Sequence, residues 1–187
     1  SWTWHGYEGK TASVDVYANA DETELFLNGE SLGRRALNGG YIAAYEVPYS
    51  PGKLEAVSYV DGRAAGSTVL QTAGEINRLL VKPDRTCFPA DGESLVFIKI
   101  YLADKDGVIN RQESREVIIE TKGNITLQGF GSADPGCEGS YQNKTWHSYD
   151  GAVMAVIRAA GTPGEAEVIV TAEGCAPEHV KLHIEEE

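Results

Sequence analysis

Tyr141, Trp146, His147 and Tyr149 lie within nine residues of one another and are flanked by Asp134, Glu138, Gln142 and Asn143. Aromatic rings stack on the apolar C–H faces of sugars, while carboxylates, amides and imidazoles fix hydroxyl groups. The cluster therefore makes Tyr141, Trp146 and Tyr149 candidate carbohydrate contacts, with Asp134 and Glu138 as polar partners. A second group, Trp2, Trp4 and Tyr7, is a separate candidate surface. Each has a plainer alternative. The first is a loop folded back on its own domain or docked on another part of a larger protein, and the second is an apolar anchor for the first strand.

Catalytic chemistry is harder to place. Hydrolysis of a glycosidic bond with retention needs two carboxylates about 5–5.5 Å apart, and the 28 Asp and Glu residues are spread along the whole chain. No G-x-S-x-G elbow accompanies the four histidines, His5, His147, His179 and His183. His179 and His183 are four apart in a stretch that reads as a strand, which puts them on one face but too far apart to share a metal. Asp134 and Glu138 supply two of the six to eight oxygens that Ca²⁺ takes, so no metal site is expected. No cofactor is implied. Cys87, Cys137 and Cys175 have no paired spacing and read as buried small hydrophobes, with one disulfide plus an odd thiol as the alternative.

The elements that must carry these residues are strands. Short β-rich runs alternate with turn signals from Val14 onward, and no segment sustains a 3.6-residue apolar period. Asn28-Gly29 suits a type I′ turn joining two strands within Glu24–Leu32, with Leu25 and Leu27 inward and Phe26 on the other face. Runs at 41–47, 53–59 and 64–72 follow, punctuated by Ser50-Pro51-Gly52 and Asp61-Gly62. A boundary is placed near Gly74. Seven further strands are expected at 78–81, 95–102, 116–121, 125–130, 152–158, 167–172 and 180–184. Strand character lapses between Gly129 and Gly151, a long excursion for a sandwich and one that carries the aromatic cluster. The expected fold is all-β, two tandem immunoglobulin-like β-sandwich domains over 1–74 and 75–187.

Net charge is −12, and the 16 Lys and Arg residues form no basic stripe, so nucleic acid is not an expected partner. No apolar run approaches the roughly 18–20 residues of a membrane span, and the opening residues lack the basic and apolar regions of a signal peptide. The chain starts on Ser1 rather than Met, which suggests a segment of a longer protein. Location is left open by the sequence, any export signal lying upstream.

The run Ser1-Trp2-Thr3-Trp4-His5-Gly6-Tyr7-Glu8-Gly9-Lys10, followed by Val14–Asp21 and Glu24–Gly29, resembles the segment just after the catalytic barrel in glycoside hydrolase family 2 β-galactosidases. Further on, Lys82-Pro83-Asp84-Arg85, Ala90-Asp91-Gly92, Gly129-Phe130-Gly131-Ser132-Ala133-Asp134-Pro135 and Tyr149-Asp150-Gly151-Ala152 fall in that family's order. Where the family carries Gly-Asn-Gly-Asp-Pro, this chain has Ser132 and Ala133 in place of the Asn and the second Gly. The likeness covers nearly the whole chain and is closer over Ser1–Thr72 than from Arg78 onward.

What the resemblance implies is a non-catalytic C-terminal region of a β-galactosidase-like hydrolase. Such enzymes draw both carboxylates from a (β/α)8 barrel of roughly 200 or more residues, for which this chain has no counterpart. Its expected role is to stabilise or position that barrel, to shape substrate access and to take part in subunit contacts. The resemblance points to bacteria and is compatible with a periplasmic or extracellular enzyme. The alternatives are a carbohydrate-binding module for galactose-containing glycans and an adhesin-like surface sandwich.

Overall fold

The computed structural model describes residues 1–186, and among them there are strands and turns but no helix. The chain divides into two compact units, Ser1–Thr72 and the part from Ala73 onward, each with its own apolar cluster. The division falls two residues before the expected Gly74.

The first unit holds β1 (Thr11–Tyr17), β2 (Glu22–Leu27), β3 (Glu30–Ala36), β4 (Ile42–Pro48), β5 (Lys53–Val60) and β6 (Arg63–Gln71). β1 pairs with β4 in a two-stranded sheet, and the other four form an antiparallel sheet in the order β3-β2-β5-β6. Alternation decides what goes inside: Ala12 on β1, Leu25 on β2, Tyr45 and Val47 on β4 and Leu54 on β5 are buried, and Leu27 packs against them. Phe26, on the opposite face of β2 from Leu25, is half-buried. Thr23 is buried with its hydroxyl 3.0 Å from that of Tyr45, which donates to the Thr23 carbonyl at 2.8 Å, so the polar pair satisfies itself.

The β2–β3 turn has Asn28 at φ 52° and Gly29 at φ 86°, the geometry a type I′ turn requires. Asn28 also accepts a hydrogen bond from Lys53 N and donates to the Pro51 carbonyl, tying this turn to the one before β5. A Cβ on Gly29 would meet no neighbour within 4 Å, so substitution there is a test of backbone strain alone. Gly29→Val is expected to cost about 1–2 kcal/mol and to lower the melting temperature of this unit by about 5 °C or more. An unchanged thermal transition would contradict the turn.

The second unit holds β7 (Arg78–Pro83), β8 (Cys87–Pro89), β9 (Leu95–Ala103), β10 (Glu116–Lys122), β11 (Ile125–Gly131), β12 (Thr145–His147), β13 (Ala152–Ala159), β14 (Gly164–Ala172) and β15 (Glu178–Glu185). They form two sheets, β12-β10-β14-β15-β8 and β11-β13-β9-β7, enclosing Val96, Ile98, Ile100, Val117, Ile119, Phe130, Ala155, Ile157, Val168 and Leu182. All pairings are antiparallel except β15–β8. Each of the seven runs expected in this half lies within a strand. The three-residue strands β8 and β12 are additions, and β1 in the first unit begins at Thr11, three residues before the expected onset at Val14.

One expectation is corrected. Cys87 and Cys137 are exposed and Cys175 only partly buried, all three as free thiols. Cys87 lies on the edge strand β8 and Cys137 in the long loop, where there is no core for a small apolar group to enter.

Candidate functional site

The excursion after β11 does not leave the sandwich. It doubles back along β11, whose outer edge would otherwise present unpaired backbone groups. Phe130 N donates to the Tyr141 carbonyl at 2.7 Å, and the Gln142 side-chain amide donates to the Gln128 carbonyl at 2.8 Å. The chain then enters β12, where Val117 of β10 pairs with Trp146. At the far end Tyr149 and Ala152 exchange backbone hydrogen bonds across Asp150 and Gly151, at φ 50° and 68°, a second tight turn that leads into β13.

Trp146 is 5% exposed and belongs to the core cluster. Its indole N–H donates to Ser132 Oγ at 3.1 Å. Tyr141 lies against it with ring centroids 5.1 Å apart and planes 12° from parallel, yet is itself 58% exposed. Trp146 therefore acts as a backing plate that fixes the tyrosine ring. Glycine makes this arrangement possible. A Cβ on Gly131 would come within 2.5 Å of the Tyr141 ring, and one on Gly139 within 2.6 Å of the Trp146 ring.

The outcome is an open trough of about 490 Å³ over the outer face of β11, β13 and β9, within the usual range of about 300–1,000 Å³ for small-molecule sites. Gly129 and Gly131 leave part of its floor without side chains, Met154 and Val156 supply apolar surface, and Tyr141, Tyr149, Tyr101 and Lys99 also line it. Among the described residues, no Asp or Glu lines it.

The sequence-derived candidates are thus sorted by position. Tyr141 and Tyr149 face the trough, and Trp146 stands behind Tyr141, too buried to touch a ligand. Asp134 and Glu138 are exposed on the loop but outside the trough, Asp134 being occupied in accepting from Gly136 N at 2.9 Å. Trp2 and Trp4 lie in the other unit. Trp2 is core, 2% exposed, with its indole donating to the Ser50 carbonyl, whereas Trp4 is 38% exposed and 5.7 Å from Trp2 and from Tyr49. His179 and His183 point along one face, each paired with a glutamate, Glu167 at 2.9 Å and Glu165 at 2.7 Å. Lys99, Tyr101 and Met154 went unremarked in the sequence. Their signal was the alternation within β9 and β13, in which Phe97, Lys99 and Tyr101 sit on the face opposite the core.

The class that the fold defines is a pair of immunoglobulin-like β-sandwiches in tandem. Residues 79–181 match the family described as glycoside hydrolase family 2 C-terminal domain 5, and residues 9–66 match a domain of unknown function (DUF4982). The first match takes in more than half of the chain, which belongs to the glycoside hydrolase family 2 C-terminal domain 5 family.

Among curated proteins it is 28% identical over 186 residues to β-galactosidase BoGH2A of Bacteroides ovatus, covering 98% of this chain and 22% of that protein. A putative β-glucuronidase of Formosa agariphila is 43% identical over 75 residues, 38% of this chain and 7% of that one. Among solved structures, a glycosyl hydrolase family 2 member from Bacteroides cellulosilyticus superposes with a TM-score of 0.95 at 32% identity, covering 98% of this chain and 24% of that chain. The chain thus spans about a quarter of the length of these full-coverage relatives.

Proposed function

We propose that this chain is the non-catalytic C-terminal region of a β-galactosidase-like family 2 glycoside hydrolase, where it stabilises or positions the catalytic barrel and shapes substrate access. The observation that carries this reading is the match of residues 79–181 to the family described as glycoside hydrolase family 2 C-terminal domain 5. Its attachment to a barrel is supported by the end-to-end similarity to one part of much longer glycosidases. The exposed Trp4 and Tyr7 of the first unit, beside the buried Trp2, are the surface we assign to contact with the preceding domain. Subunit contacts in the longer protein are a further role for the same exposed aromatics.

The test compares the longer protein with a version truncated before Ser1, and with residues 1–187 alone, on an aryl β-galactoside. Residues 1–187 are expected to show no turnover, and the truncated enzyme a lower melting temperature or altered kcat/KM on oligosaccharides. Turnover by the isolated chain would sink the non-catalytic reading. A truncated enzyme identical to the whole in both respects would sink the accessory one.

A further inference from the structure

The two sheets of the second unit carry opposite charge. Strands β7, β9, β11 and β13 contain Arg78, Lys82, Lys99 and Arg158 and not one Asp or Glu. Strands β10, β14 and β15 of the facing sheet contain Glu116, Glu120, Glu165, Glu167, Glu178 and Glu185 against Lys122 and Lys181. In a chain with 28 acidic and 16 basic residues, four acid-free strands in one sheet are a marked departure from the average. By strand alternation all four cations share the outer face with Phe97, Tyr101 and Met154.

One of these cations lines the trough and a second lies beside it. Lys99 lines it, and Lys82 is its cross-strand partner on β7, with its ammonium 5.9 Å from the centre of the Tyr101 ring. Among the described residues neither has an ion-pair partner. The loop acids Asp134 and Glu138 do not line the site. We propose that the trough binds an anionic saccharide, its sugar ring stacked on Tyr141 and its carboxylate or sulfate held by Lys99 and Lys82.

Three features favour this occupant. Trp146 holds Tyr141 as a fixed flat surface, so a sugar ring can stack without the entropic cost of ordering an aromatic side chain. Glycine at 129 and 131 opens a shallow floor beside it. That floor is the face of a hydrogen-bonded sheet rather than a free edge, so an extended peptide has no backbone groups there to pair with. The net charge of −12 does not forbid an anion. At physiological salt the Debye length is about 8 Å, whereas the sheets of a sandwich are about 10 Å apart with the acidic side chains beyond, so a ligand in the trough is governed by the nearby lysines.

This inference does not depend on the accessory reading, since the trough lies wholly within the second unit and the test uses residues 1–187 alone. Isothermal titration would compare trigalacturonate, a sulfated galactobiose, neutral lactose and inorganic sulfate. At least one anionic saccharide is expected to bind about tenfold or more tightly than lactose or sulfate, and to weaken as salt is raised. Lys82→Gln with Lys99→Gln should reduce its affinity to that of lactose with the thermal transition unchanged, both side chains being exposed, and Tyr141→Ala should abolish binding while the chain stays folded, its transition lowered by the loss of the stack on Trp146. Equal binding of lactose, equal binding of sulfate, no saturable binding of either anionic sugar, or affinity indifferent to both variants would each overturn the proposal.

Discussion

Trp146→Ala is expected to destabilise the second unit by about 3–5 kcal/mol, the usual cost of emptying a core site of its largest side chain. For a domain of this size that corresponds to a fall in melting temperature of more than about 10 °C. The basis is geometric. Trp146 is 5% exposed, lies within the core cluster with Phe130 and Val117, backs Tyr141 at 5.1 Å and donates to Ser132. Its loss therefore opens the core and frees the loop that covers β11. Trp146→Phe keeps apolar volume and gives up the bond to Ser132, for a cost nearer about 1 kcal/mol. The core of the first unit shares no residue with this cluster, so its own thermal transition should persist. A Trp146→Ala chain that melts within about 2 °C of the parent sequence would show that the ring is dispensable to packing.

This also changes which substitution reports on ligand contact. Cluster composition in the sequence placed Trp146, Tyr141 and Tyr149 on equal terms, because nothing local distinguishes a tryptophan facing water from one facing a core. The difference is tertiary: Trp146 pairs with Val117 on an edge strand and turns inward, whereas Tyr141 sits on the returning loop. The glycines at 131 and 139, whose missing Cβ atoms make room for the two rings, could not be matched to their partners before the loop was folded.

Strand positions were far more legible. Asn28-Gly29 and Asp61-Gly62 both mark observed turns, because positive φ is a local demand that the residue type announces. What escaped were β8 and β12, three residues each, too short for a period of two to show. The charge asymmetry of the second unit was hidden for a different reason. Arg78, Lys82, Lys99 and Arg158 are scattered over 81 residues of sequence and meet only when β7, β9 and β13 pair.

Asp104→Asn is expected to cost the second unit about 1.5–3 kcal/mol at neutral pH and to remove part of its sensitivity to acid. Asp104 follows β9 and is buried, with Oδ1 accepting from Asp106 N and Val108 N, both at 2.9 Å, and Oδ2 accepting from Gly74 N at 2.8 Å. Burial alone would raise the pKa of this carboxyl. The backbone N–H groups of Gly74, Val108, Asp106 and Gly107 outweigh it and hold the pKa below the ordinary aspartate value. The amide variant keeps one oxygen for the turn but sets an NH₂ group against the Gly74 N–H, donor against donor. Because the folded pKa is depressed, the stabilisation is fully present above the unfolded value of about 3.9 and is lost as pH falls through the folded one. Urea unfolding at pH 7 and in the window below about pH 4 should therefore show the stability gap between the two chains narrowing with acid. Hydrogen exchange should show the Gly74 amide losing protection in the variant. A gap that stays constant across that pH range would mean that the Asp104 charge contributes nothing to holding Gly74 on the sandwich.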